Sequence, residues 1–331
     1  MKKELGIFSL LVALCVATSL KNPQFLSAAN LANNANLVGI YGIFSLGLGL
    51  VIITGGIDLS VGAMFALTGV LLPMALREWH WSWPTALAAA LAFPMFMGWV
   101  HGWLITRIKI QPFIVTLCGL MIYRGVARFV ASDNTKGFGA ADGFLPLKNF
   151  ATGRLFQKLD PVTGQEIFTG IPMPFVILVG LSVIMWFVLH RSTYGRYLFA
   201  VGRNENSTRF SGINTQRVVA STYVIAGLLT GIAGLLLAFY TNSVSPSNHG
   251  NSYELYGIAA AVLGGCSLRG GEGSIVGILI GTALLRVLEN LVNLLGIPSS
   301  LNFAVMGSVV LVGVLADQFF QARAAKKVVR H

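Results

Sequence analysis

Asp58, Glu254, Arg286 and Glu289 are charged residues set in or beside long apolar runs of a 331-residue chain that is 55% hydrophobic and only 11% charged. A charge at the centre of a bilayer costs ~2.5–3.5 kcal/mol on insertion scales, so such residues face protein or water and often mark a functional path. Asp58 lies in "GGIDLS", with Gly55 and Gly56 before it and Ser60 and Gly62 after it. These residues read as a helix break with close packing, and Asp58–Leu59–Ser60 offers a cap for the next helix. Direct contact with a polar solute is the second reading of Asp58. Glu254 falls at the outer end of its apolar run, either as a docking point for an external partner or as a solvated interfacial carboxylate. Arg286 and Glu289 are three apart on one helix face and can neutralise each other.

Other chemistry is absent from the sequence. His80, His101, His190, His249 and His331 are scattered without metal-ligand spacing, and no nucleophile–base pair is evident. The chain contains no Gly-Lys dipeptide, so it has no P-loop for ATP. Cys15, Cys118 and Cys266 all sit in apolar segments, where a cysteine is expected to be a packing residue. A different chemistry is concentrated in "VGRNENSTRFSGIN" at 201–214, which holds two arginines, a glutamate, three asparagines and two glycines between apolar runs. Asn204 can cap a first turn. Glu205 suits the positive end of a helix dipole. Gly212 can end the helix in the left-handed conformation. The prediction is a helix over 204–212, roughly 12 Å long, with Phe210 and Ile213 as an apolar contact side. A free loop has no need of a capped helix with an apolar face, whereas a docked one has.

The elements that position these residues follow from the apolar runs. No Asp, Glu, Lys or Arg occurs over 22–57, 59–76, 167–189, 218–253 or 290–316. Continuous runs of ~18 residues or more predict membrane-crossing helices, because every backbone amide must be satisfied internally in lipid. Ten spans are expected: 4–20, 36–54, 59–77, 84–105, 112–131, 173–190, 218–241, 254–266, 274–294 and 300–320, the eighth being short. The first reads as an uncleaved helix rather than a removed signal peptide.

Orientation follows from lysine and arginine. With the N-terminus in the cytoplasm, Lys2, Lys3, Arg107, Lys109, Arg191, Arg196, Arg203, Arg209, Arg217, Arg269, Arg323, Lys326, Lys327 and Arg330 lie inside. Lys21, Arg77, Arg124, Arg128, Lys136, Lys148, Arg154 and Lys158 lie outside or near the outer face. The net charge of +11 therefore expresses a topology rather than a nucleic-acid partner. Both termini and the loop 191–217 are placed inside, and the loop 132–172 outside. "REWHWSWP" at 77–84 reads as an interfacial aromatic belt. "ITGGIDLSVGAMFALTG" and "LGGCSLRGGEGSIVGILIG" echo each other, as Gly-Gly, a polar stretch, then a small-residue helix. Paired interruptions of this kind occur in transporter repeats.

Four stretches carry a family resemblance. "YGRYLFAVGRNENSTRFSGIN" resembles the cytoplasmic coupling segment of bacterial ABC importer permeases for monosaccharides, the ribose-type branch of the branched-chain amino acid and sugar permease superfamily. "TGGIDLSVGAMFALTG" at 54–69, "SYELYGIAAAVLGGCSLRGGEGSIVGILIG" at 252–281 and "NLVNLLGI" at 290–297 resemble the same family in the same order. The resemblance covers nearly the whole chain. It implies an all-α polytopic membrane protein of about ten transmembrane helices with a type II ABC importer-like fold, a single permease domain over 1–331. It implies a second permease copy or paralogue, two cytoplasmic ATPases that use the ATP, and an extracytoplasmic sugar-binding protein, in the bacterial inner membrane. The chain itself then needs no cofactor and no metal and is not an enzyme. Gly202, Asn204, Glu205, Thr208, Arg209, Phe210, Ser211 and Gly212 match the coupling segment. Gly55, Gly56, Asp58, Ser60, Gly62, Glu254, Gly264 and Gly265 match the hinges and translocation path. Arg203, Ser207, Tyr256, Arg286 and Glu289 depart from the family's usual residues, which bears on the substrate.

Two other classes are weighed against this one. A self-sufficient secondary carrier or channel needs ion-coupling carboxylates in mid-membrane, and only Asp58, Glu254 and Glu289 lie near a span. An intramembrane enzyme needs clustered catalytic residues, and none is evident.

Overall fold

The computed structural model describes residues 2–139, 143–159, 166–312 and 315. It is helical almost throughout. The long helices are α1 (Lys2–Lys21), α2 (Ala28–Ile53), α3 (Val61–Pro73), α4 (Trp83–Thr106), α5 (Pro112–Ala131), α7 (Met173–His190), α10 (Thr215–Thr241) and α12 (Ile275–Leu294). Shorter ones are α6 (Leu145–Thr152), α8 (Thr193–Arg203), α9 (Glu205–Phe210), α11 (Tyr253–Leu263) and α13 (Asn302–Val312). A π turn, Met74–Glu78, extends α3 past Pro73, whose missing N–H breaks the regular ladder.

Among the described residues, eight helices are long and apolar enough to cross a membrane, and α11 and α13 are shorter apolar helices. These account for the ten expected spans. The second begins earlier than expected, at Ala28, because Ser27 accepts a bond from the Asn30 N–H. The tenth is described only as far as Leu315, so its far end and the basic tail lie outside the described residues.

The interior is α2, α3 and α10, whose apolar residues are mostly buried. Helices α1, α4, α5 and α7 turn most of their apolar side chains outward. That arrangement suits lipid and not water. Helix α4 lies along α10. Here small residues let the backbones touch: a Cβ on Gly98 would stand 2.2 Å from the Tyr223 carbonyl, and one on Gly227 2.2 Å from the Pro94 carbonyl.

One end of the bundle carries the described part of 132–172, where β1 (Lys136–Gly137) pairs antiparallel with β6 (Ser243–Val244), β2 (Arg154–Leu155) with β5 (Ile171–Pro172), and β3 (Lys158–Leu159) with β4 (Glu166–Phe168). Since α7 runs away from that end and α10 returns to it, residues 191–214 occupy the opposite one.

Two expectations are corrected. Cys118 is exposed on α5, so only Cys266 is a fully packed cysteine, with Cys15 half-buried. Arg124 stays near the end of the bundle that carries β1 and β6, but it is not free there. It lies within α5, and its guanidinium donates to the carbonyls of Pro246 (3.1 Å), His249 (2.7 Å) and Gly62 (3.3 Å). Glu254 is neither solvated nor available for docking. It is 8% exposed at the start of α11, with its carboxylate against Gly62.

Candidate functional site

The polar segment 192–217 folds by local capping. Ser192 accepts from the Gly195 N–H at 3.1 Å and starts α8. Asn204 stands extended between α8 and α9, and its Oδ1 accepts from the Ser207 N–H at 2.9 Å. Gly212 takes φ +83° after α9, and Asn214 Oδ1 accepts from the Arg217 N–H at 3.0 Å to start α10. The helix is shorter than expected, Glu205–Phe210, because the chain already turns at Ser211.

Side chains fix this helix to its neighbours. The Thr215 hydroxyl donates to Glu205 Oε1 at 3.0 Å, tying the first turn of α9 to α10. Thr208 is buried, and its hydroxyl donates to the Asn204 carbonyl at 2.8 Å. Ser211 Oγ donates to the Ser207 carbonyl at 3.0 Å. Phe210 is the exception to all this satisfaction. It is 84% exposed, with the Arg209 guanidinium 5.8 Å from its ring centroid.

The base of the segment meets both glycine-rich stretches. The Gly271 N–H donates to the Ile53 carbonyl at 2.8 Å. A Cβ on Gly202 would lie 1.9 Å from that carbonyl oxygen and 2.4 Å from the Gly271 nitrogen. A Cβ on Gly270 would lie 3.0 Å from the Gly55 nitrogen. The end of α8, the end of α2 and the loop after α11 therefore touch backbone to backbone. Gly264 packs with equal closeness on the Gly277 carbonyl of α12, and Gly265 turns the chain at φ +91°. Gly270 and Gly271 were not singled out in the sequence, although they belong to the same glycine-rich run.

Beyond this junction the chain runs through 54–60 into α3. Gly55 has φ +82°, and Gly56 packs against the Tyr223 hydroxyl. Asp58 is buried, but it does not cap α3 as expected. Its Oδ1 accepts from the Ser60 N–H (2.9 Å) and Ser60 Oγ (2.7 Å), one turn too early for the helix. Ser60 occupies the cap position and makes no side-chain cap bond. Asp58 thus closes an Asx turn that aims α3. Gly62 follows, and a Cβ there would meet both the Gly250 carbonyl (2.2 Å) and Glu254 Oε2 (2.3 Å). Arg124, missed in the sequence, holds this α3–α11 crossing from the α5 side.

Asp58→Asn should keep the turn, since an amide oxygen also accepts from Ser60. Asp58→Leu should leave Ser60 with a buried, unpaired N–H costing ~1–3 kcal/mol. Melting of the purified protein checks this: the Leu variant should melt clearly lower, and the Asn variant close to wild type.

The arrangement is a set of close backbone contacts between α8, α2 and the loop after α11. Among the described residues no group of three or more His, Cys, Asp or Glu could hold a metal. Arg286 and Glu289 form the ion pair expected of their spacing, away from these contacts.

Comparison with known proteins agrees with this architecture. Residues 30–315 match the family described as branched-chain amino acid transport system / permease component. The chain is 38% identical to the ribose import permease protein of Bacillus subtilis (strain 168), over 96% of this chain and 93% of that one. It is 36% identical to the ribose import permease protein of Escherichia coli (strain K12), over 95% and 93%. It is 28% identical to the xylose transport system permease protein of Haemophilus influenzae (strain ATCC 51907 / DSM 11121 / KW20 / Rd), over 95% and 96%. No solved structure matches significantly. With a family match over most of its length and relatives aligned nearly end to end, this multi-pass membrane protein belongs to the branched-chain amino acid transport system permease component family.

Proposed function

We propose that this chain is the membrane subunit of an ATP-driven importer that carries a monosaccharide into the cytoplasm. The sugar class rests on relatives named for ribose import and xylose transport. The energy source rests on the absence of a P-loop in the sequence. Work must then arrive mechanically, from two cytoplasmic ATPase subunits that bind the ATP. A second permease copy or paralogue completes the pore, and an external sugar-binding protein delivers the substrate. The setting is the bacterial inner membrane, with both termini and 191–217 in the cytoplasm and 132–172 outside.

One observation carries the coupling role: a helix capped at both ends and tied to α10 presents a bare phenylalanine. An exposed Phe on an otherwise satisfied helix is an anchor waiting for a groove. In this reading Gly202, Asn204, Glu205, Thr208, Arg209, Phe210, Ser211 and Gly212 form the coupling element. Its motion passes through Gly202 to Ile53 and Gly271, and so to α2 and α12. Gly55, Gly56, Asp58, Ser60, Gly62, Glu254, Gly264 and Gly265 form the hinges behind it.

Uptake of labelled ribose, xylose and hexoses by cells expressing the permease with its ATPase and binding protein tests the whole reading. ATP-dependent accumulation of one sugar is expected, and its absence for all of them refutes the sugar assignment. Sidedness has its own test. Ser207 and Thr152 are both exposed. A cysteine at Ser207 should react with an impermeant thiol reagent only from the cytoplasmic side, and one at Thr152 only from outside. The reverse pattern overturns the orientation and the coupling role with it.

A further inference from the structure

Among the described residues, the Arg286–Glu289 pair differs from the other charges inside the bundle. Asp58 closes a turn on Ser60, and Arg124 clamps three carbonyls from the loop 242–252 and α3. Arg286 and Glu289 bond each other within one turn of α12. Among the described residues neither forms a hydrogen bond to a second element. Burying an ion pair gains little unless further bonds satisfy it, and here Arg286 is 5% exposed with its Nε lacking a protein partner. Such a pair, inside a membrane protein, calls for a use.

The surroundings supply one. The Arg286 guanidinium lies 5.1 Å over the Tyr41 ring. Tyr41 is 5.0 Å from the Tyr253 ring and 5.5 Å from that of Tyr256. The Asn30 and Asn290 amides bond each other reciprocally at 3.1 and 2.8 Å between α2 and α12. Asn34 on α2 and Asn302 on α13 are buried, and each has an Oδ1 without a protein partner. Facing elements α2, α11, α12 and α13 therefore hold aromatic rings, one guanidinium, one carboxylate and amides with unused bonding capacity. Glu289 keeps a side-chain exposure of 17%, so the set reaches an accessible edge.

We propose that Arg286, Glu289, Tyr41 and Tyr253 contact the transported sugar and set which hydroxyl pattern passes. The inference rests on the importer reading above. Aromatic faces suit the C–H face of a sugar ring. A guanidinium and a carboxylate suit adjacent hydroxyls, in charge-assisted bonds stronger than neutral ones. In the structure the two charges satisfy each other, and sugar hydroxyls would replace that pairing.

A site that bonds a hydroxyl discriminates strongly against a substrate lacking it or holding it elsewhere. The test is the ratio of maximal uptake rates of ribose and xylose, per permease in the membrane, at sugar saturating the binding protein. Glu289→Gln should change that ratio about tenfold, while sugar affinity of the binding protein and thermal midpoint of the complex stay the same. An unchanged ratio overturns the inference, as does equal loss for both sugars with a lowered midpoint, which is the mark of a packing role. Should the Gln variant fail to assemble, Tyr41→Phe decides, because it keeps the ring and deletes only the hydroxyl; an unchanged ratio there is equally fatal. Wild-type cells that accumulate none of ribose, xylose and the hexoses refute the sugar-importer reading itself, a result distinct from normal wild-type uptake with an unaltered variant ratio.

Discussion

Gly202→Ala is expected to reduce uptake at least tenfold while leaving the ATPase bound. The added methyl would sit 1.9 Å from the Ile53 carbonyl oxygen and 2.4 Å from the Gly271 nitrogen. Both are backbone atoms, and neither can swing aside as a side chain does. Overpacking of this kind costs ~1–3 kcal/mol, and ~1.4 kcal/mol is tenfold in an equilibrium constant. The strain falls on the joint between α8, α2 and the loop after α11, through which the coupling helix must act. The control is Gly125→Ala on α5. A Cβ there meets nothing within 4 Å, and Ala favours a helix interior by roughly 0.5–1 kcal/mol over Gly. Transport by the Gly125 variant should be unchanged. Equal uptake by the Gly202 variant and wild type would show that the junction does not transmit motion.

Phe210→Ala should do the opposite, releasing the ATPase while sparing the permease. In the isolated chain Phe210 is 84% exposed, so its truncation should alter the permease's own stability by no more than ~0.5 kcal/mol. If Phe210 fills a groove on the ATPase, a buried Phe→Ala change costs ~3–5 kcal/mol. Half of that is still tenfold or more in association. Recovery of the ATPase with detergent-purified permease should fall accordingly, and hydrolysis should no longer drive uptake. Sugar affinity of the external binding protein should be unaffected. Arg209→Ala should have a smaller effect, since an exposed charge at a wet rim contributes ~1 kcal/mol or less. Equal ATPase recovery and equal uptake for Phe210→Ala would leave 201–214 as a loop on the membrane surface.

The two variants separate docking from transmission, and the same separation divides what was legible in the sequence from what was not. The long membrane helices were legible because each is a long apolar run whose backbone must satisfy itself in lipid, whereas the short α6 and α8 were not expected. Helix α9 was legible because its signals are local. Asn204 reaches Ser207 and Gly212 turns the chain, both within a few residues. The neutralisation of Arg286 by Glu289 is local in the same sense.

Only the tertiary structure decided where these pieces meet. Gly202, Ile53 and Gly271 are far apart in sequence and share no motif, yet their backbones touch. Glu254 looks like a surface carboxylate from its place at the edge of an apolar run, but α3 presents a glycine that leaves room for it inside. Arg124 looks like a free interfacial cation by charge counting, but three carbonyls of the 242–252 loop and the start of α3 take up its guanidinium. The physical reason is common to all three. A cap or an apolar period is set by neighbours along the chain, whereas the partner of a buried charge or a bare glycine is set by which helices cross, and no short stretch of sequence contains that information.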